Sequence, residues 1–241
     1  MIALLAGIAV RFDVVAIGAM AGLGYAVLAA GLVLVYRSSR IINLAHGQIG
    51  AFAAVTLHVV ANHWDLPYAA SLALAVGVGA LIGVVVERLL VRPLARRSGL
   101  AVLVATIGVS QVLLVAQALL PEVIGGRYPS AVDWSTEVGG LVLHGEHFTL
   151  LLLAPVALAG LTYLLTRTRQ GLAIRAVADN RDASLLAGID AQGVARNVWA
   201  TAGALAAIAA ILTLPLSAGM GGAITPALGP GLLLRALAAG L

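Results

Sequence analysis

The chain has 241 residues, 61% apolar and 10% charged, whereas a soluble globular domain carries about 25% charged residues. These proportions exclude an ordinary soluble domain and mark an integral membrane protein. The absence of cysteine excludes a disulfide framework and thiol catalysis. The formal charge of +4 rests on arginines gathered in particular loops, which speaks for membrane topology and against a nucleic-acid partner.

In chain order, the opening MIALLAGIAV lacks a basic start and leads to Arg11 and Asp13 instead of a small-residue cleavage site. Insertion is therefore expected to rely on the first transmembrane helix. Uncharged runs long enough for the ~20 residues that a crossing helix needs occur at 14–36, 41–61, 67–86, 100–120 and 148–166. The run at 197–234 is too long for one helix. It reads as a sixth span to about residue 216, a turn rich in Gly and Pro (SAGMGGAITPALGPG), and the start of a seventh near Leu232. The alternating pattern of an outer-membrane strand is absent, which favours helices. The expected fold class is all-α: a polytopic transmembrane bundle of about six full spans plus a partial seventh, one domain over residues 1–241.

All fourteen basic residues are arginine. Arg37 and Arg40 follow the first span; Arg88, Arg92, Arg96 and Arg97 follow the third; Arg167, Arg169, Arg175, Arg181 and Arg196 follow the fifth. The alternate loops hold Arg11 and Arg127 with Asp13, Asp65, Glu122, Asp133, Glu137 and Glu146. The positive-inside rule then predicts the N-terminus outside and the three arginine-rich loops in the cytoplasm. Arginine without lysine, beside so much alanine, points to a GC-rich bacterial genome and hence to the inner membrane. Residues 121–147 form an external loop. It contains Gly125, Gly126, Pro129 and Trp134, and reads as a small cap with an interfacial Trp or as a substrate entry.

Four motifs bear on chemistry. Asn43, His46 and Gly47 open the second span where unsatisfied polar groups are costly. Asn43 and His46 share a face if the segment is helical, either as a hydrogen-bonded packing pair or beside a translocation path at a broken helix end. Gln111 and Gln117 in the fourth span read as interhelical hydrogen-bonding groups, and the pairs Gly18/Gly22 and Gly79/Gly83 have the spacing of close helix contacts. His144, Gly145, Glu146 and His147 lack the arrangement of a zinc-protease helix, and no phosphate-binding loop with its lysine exists. The chain is expected to bind no metal or cofactor and to be no enzyme.

The longest polar interruption, residues 167–196, differs in kind. Residues 176–187 are predicted to form a short helix, capped by Asp179 or Asp182 and stopped at Gly188. Leu185 and Leu186 give it an apolar knob, and Asp179, Arg181 and Asp182 a charged rim. That composition suits a protein contact; an amphipathic loop on the membrane surface is the other reading.

Three blocks resemble one family: INLAHGQIGAFAA at 41–53, VERLLVRPLARRSGLAVLVATIGVSQVL at 86–113, and GLAIRAVADNRDASLLAGID at 171–190. They resemble, in order, the motifs of branched-chain amino acid ABC transporter permeases of the LivH and LivM type. The resemblance implies a permease subunit that pairs with an identical or homologous permease. It also implies docking of two cytoplasmic ATPase subunits, which would use the ATP and Mg, and receipt of amino acid from an external binding protein. On that resemblance, Asp179, Asn180, Arg181, Asp182, Ala183, Ser184, Leu185, Leu186 and Gly188 belong to an ATPase-coupling helix. Asn43, His46 and Gly47 then lie near the translocation path, and Glu87, Arg88, Arg92 and Pro93 shape the first cytoplasmic loop. Family members continue through a glycine-rich stretch and a further span, so the chain is expected to be C-terminally short. The competing expectations are an ion-coupled secondary transporter, which normally places ionisable residues within its spans, and a non-transporting scaffold subunit.

Overall fold

The computed structural model describes residues 2–5, 8–94, 98–120, 128–131, 134–138, 141–217 and 228–240. The expectations for Arg96, Arg97, Glu122, Gly125, Gly126, Arg127, Asp133 and the turn at 218–227 lie outside the described residues. Helices dominate, as the composition requires. A two-stranded hairpin, β1 (Ile2–Leu5) and β2 (Ile8–Arg11), leads into α1 (Phe12–Ser39), followed by α2 (His46–His63) and α3 (Tyr68–Val86). A π-helical turn at Glu87–Val91 extends α3 into α4 (Arg92–Leu94), and α5 covers Gly99–Ala118. A second hairpin, β3 (Ser135–Val138) and β4 (Leu141–His144), precedes α6 (Gly145–Arg167). Then come α7 (Arg169–Asp179), α8 (Arg181–Leu186), α9 (Ala191–Ser217) and α10 (Leu228–Gly240).

Among the described residues, five helical stretches are long and apolar enough to cross a membrane: Val14–Ser39, Tyr68–Leu94, Gly99–Ala118, Gly145–Arg167 and Ala191–Leu216. The second run, expected as a span, folds as α2 but is not among them. Its composition is diluted by His46, Gln48, His58, Asn62 and His63, and most of its length is buried inside the bundle. Neighbouring helices thus do for α2 what lipid does for the others. The π turn has a local cause. Pro93 lacks an N–H, and its ring excludes the carbonyl four residues earlier, so the helix widens. Arg92 accordingly donates its N–H to Glu87, five residues back.

Two apolar clusters are stacked along the bundle. One gathers Leu28, Val55, Leu57, Leu150, Leu205, Ile211 and Leu214 with Leu232 and Ala236 of α10. The other, at the arginine-rich end, joins Leu34, Val35, Val86, Val102, Val198 and Trp199 to Ile174 and Val177 of α7. The α3–α9 crossing is set by small residues. A Cβ on Gly79 would stand 2.7 Å from the carbonyl oxygen of Gly203 and 2.8 Å from Ala207 Cβ, and one on Gly83 would overlap the carbonyl of Trp199. Gly18 and Gly22 have the same spacing but nothing within 4 Å among the described residues, so of the two pairs the second makes the helix contact there. The segment ahead of α6 is pinned at two points. Trp134 stacks on Phe148 at 5.0 Å, while Tyr128 is buried, stacks on His58 and donates its hydroxyl proton to the Ala54 carbonyl at 3.2 Å. Burial pushes the Tyr128 phenol well above its ordinary range, so it stays a donor.

Candidate functional site

The first candidate region is the break between α1 and α2. Ser39 ends α1 by donating its hydroxyl proton to the Val35 carbonyl, and Arg40 reverses the chain with φ 56°. Residues 41–45 are not helical, so Asn43 lies ahead of α2 and not on a shared helical face with His46. The side-chain oxygen of Asn43 instead accepts from Ala45 N at 3.0 Å, and its carbonyl from His46 N at 3.2 Å. Leu44 N donates to Thr106 Oγ1 of α5 at 3.3 Å. Asx geometry of this kind competes with helix and explains the late start of α2.

The depth of that start follows from contacts. His46, wholly buried, has Nε2 3.0 Å from the Leu28 carbonyl. Leu28 precedes the end of α1 at Ser39 by eleven residues, about 16 Å at 1.5 Å per residue. Gly50 abuts the carbonyl of Ala206, fifteen residues past the start of α9, about 22 Å along. Both registers put the first turn of α2 well inside the bundle. Non-helical backbone at such depth is tolerated only when protein or a water-filled cavity covers it, and Asn43, His46 and Gln48 are all buried. Gln48 Nε2 donates to Gln117 Oε1 at 2.9 Å, the interhelical bond expected of Gln117; Gln111 is exposed. Gly47 packs against the backbone of Gly229 and Leu233 in α10, so a Cβ there would overlap. His46 rests over Gly31, and its Nδ1 has no hydrogen-bond partner among the described residues.

The second candidate region is the arginine-rich end. Thr168 caps α7 by accepting from Gly171 N at 3.0 Å, and the buried Ile174 and Val177 fasten that helix to the bundle. The expected single helix over 176–187 is two helices. Asn180, in extended conformation (φ −149°, ψ 103°), interrupts it, and its Oδ1 accepts from Ala183 N at 2.9 Å. The cap is therefore Asn180, not Asp179 or Asp182. Gly188 stops α8 as expected, at φ 80°. Leu185 is 51% exposed and Leu186 92%, whereas Ser184 is buried. The apolar face of α7 is thus spent on the bundle, and the knob of α8 is left facing outward. Beside α8, the side chains of Arg92 and Gln192 are hydrogen-bonded, linking α4 to the start of α9. Glu87 is buried, with Arg88, Arg92 and Arg196 as the cations acting on it, while Pro93 is exposed. Asp190 leads into α9. Its carboxylate accepts backbone N–H groups of Gly193 and Gln192, which hold its carboxyl below the usual range. At the start of α6, His147 Nδ1 accepts from His144 N at 3.1 Å, so this pair serves the helix end.

Sequence reasoning missed Thr106, Gln48 and Trp199 as partners of these regions. Gln48 and Gln117 could have been paired as glutamines in neighbouring spans; Thr106 and Trp199 left no such signal.

A set of membrane-crossing helices, a buried polar break within it and a helical loop mounted on one end define a multi-pass membrane protein; in a bacterium its membrane is the inner one. The family model for the permease component of the branched-chain amino acid transport system matches residues 14–241, and the chain belongs to that family. It is similar to the high-affinity branched-chain amino acid transport system permease protein BraD of Pseudomonas aeruginosa, 29% identical over 81% of this chain and 68% of that protein. It is 28% identical to a probable branched-chain amino acid transport permease protein LivH of Methanocaldococcus jannaschii, over 76% of this chain and 59% of the relative. The LivH permease protein of the high-affinity system of Escherichia coli K12 is 28% identical, over 81% and 68%. No solved structure gives a significant match.

Proposed function

We propose that the chain is the membrane-spanning permease subunit of an ATP-driven importer for branched-chain or related small amino acids and amides. In this reading the N-terminus lies outside and the arginine-rich end faces the cytoplasm, as the arginine distribution favours. A second permease, identical or homologous, completes the path, two ATPase subunits dock below, and an external binding protein delivers the substrate. The single observation that carries the reading is α8: Leu186, 92% exposed, stands at the tip of a capped helix joined through α7 to the core of the bundle. An exposed apolar anchor on a stiff mount transmits displacement, and rigid-body movement of packed helices is a known way to switch access. ATP-driven closure of the partners would push α8, and α7 would carry the push to α1 and α9. The buried Asn43, His46 and Gly47 lie where two helix starts meet inside the bundle, which suits a role beside the path.

The test is co-purification with the cognate ATPase pair in mild detergent. The native chain is expected to retain the ATPase, and the variant Leu185→Glu, Leu186→Glu to lose it at equal membrane abundance, together with uptake. Equal recovery from both chains would remove α8 as the coupling element.

A further inference from the structure

Between the end of α1, the π turn and the start of α9 lies a cavity of about 530 Å³, within the range that takes small organic ligands. Its lining is of three chemical kinds. Arg40, Arg92 and Arg181 bring guanidinium groups, Glu87 brings a buried carboxylate, and Ile41 and Trp199 bring apolar surface. Arg92 is engaged by Gln192; Arg40 and Arg181 make no side-chain hydrogen bond or ion pair with any described residue. Trp199 is 1% exposed, and its indole N–H has no hydrogen-bond partner among the described residues. Burying such a donor unpaired costs free energy that a ligand acceptor or water would recover. The adjoining π turn is a form of helix often found at functional sites.

A simple anion would meet Glu87 in this cavity, and a simple cation would meet three arginines. A zwitterion with an aliphatic side chain matches all three kinds of lining at once: carboxylate to the guanidinium forks, ammonium to Glu87, hydrocarbon to Ile41 and Trp199. We propose that this cavity binds a free aliphatic amino acid, and that the bound ligand ties α8 to the bundle. Arg181 is the first residue of α8, whereas Arg40 and Glu87 belong to the ends of α1 and α3. A ligand held between them favours the arrangement of α8 in which all three face the cavity, and so biases the movement of that helix. The aliphatic character of the ligand and the side of the membrane rest on the permease reading above. Delivered amino acid then accumulates at the face where this cavity opens, and its concentration governs the coupling helix.

The test uses the full chain in lipid nanodiscs with Trp64→Phe and Trp134→Phe, which leaves Trp199 as the sole tryptophan. L-leucine is expected to give a saturable change in Trp199 emission. 4-Methylpentanoate, which lacks the ammonium, and leucinamide, which lacks the carboxylate, are expected to bind about tenfold more weakly or worse. Glu87→Gln and Arg181→Gln are expected to weaken L-leucine by about tenfold each; Arg181 is exposed, so its variant remains informative if Glu87→Gln fails to fold. No saturable response to L-leucine, or an unaltered response from Arg181→Gln, overturns the site. Inorganic phosphate binding as well as L-leucine also overturns it and makes the cavity an anion site. Co-purification keeps the two readings apart: a chain that retains the ATPase but ignores L-leucine loses only this site, and one that binds L-leucine but loses the ATPase keeps it.

Discussion

Gly79 and Gly83 bring α3 and α9 into backbone contact, and no side chain can be added there without moving one helix. Gly83→Val is expected to lower stability by about 1–3 kcal/mol, the usual cost of overpacking, read as a fall in Tm in detergent. Gly18→Val and Gly22→Val, with open space at both positions, are expected to leave Tm unchanged, and an equal fall would contradict the assigned contact. The Gln48–Gln117 bond is a second residue-scale case. Either single change to Leu leaves a buried amide unpaired, while the double change removes both, so a double-mutant cycle should give a coupling near 0.6 and at most about 1.7 kcal/mol. Spacing alone could not separate the two glycine pairs, because it fixes which residues share a stripe but not which stripe meets a neighbour. Leu185 and Leu186 were legible for the opposite reason: two adjacent leucines between charged residues in a polar loop have little apolar surface of their own to join.

At the scale of elements, α8 is short and depends on its cap. Asn180→Ala is expected to cost about 1 kcal/mol of local stability and to speed amide exchange across 181–186 while leaving α7 protected by Ile174 and Val177. Uniform loosening of both helices would show that α7 and α8 form one unit. The start of α9 carries a pH signature. The Asp190 carboxyl is held low, so its contribution is complete above the ordinary aspartate range and is lost as pH falls through the lowered value. The stability difference between the native chain and Asp190→Ala should therefore persist at neutral pH and vanish in strong acid; a difference unchanged across that interval would mean that the carboxylate is not the cap. The runs of apolar residues made most helices legible to within a few residues. The break at Asn180 and the late start of α2 were hidden, because an Asn that caps a helix and one that lies within it look alike until the neighbouring N–H groups have been placed.

For the whole molecule, composition already excluded a soluble protein. What it could not reveal is that α2 lies inside a sleeve of the other helices, with its first turn deep in the bundle. That placement has a consequence for how the protein is made. Leu44 N donates its hydrogen bond to Thr106, and Gly50 has its backbone neighbour in Ala206, so these partners of the α2 region emerge from the ribosome long after α2 itself. A helix too polar to be held by lipid alone must then wait in the insertion machinery or at the membrane surface until α5 and α9 arrive. Reporter fusions placed after residue 66 are expected to report α2 as poorly inserted, and fusions placed after residue 217 as fully inserted. The polar residues that suit α2 to the interior thus also set the order in which the bundle closes.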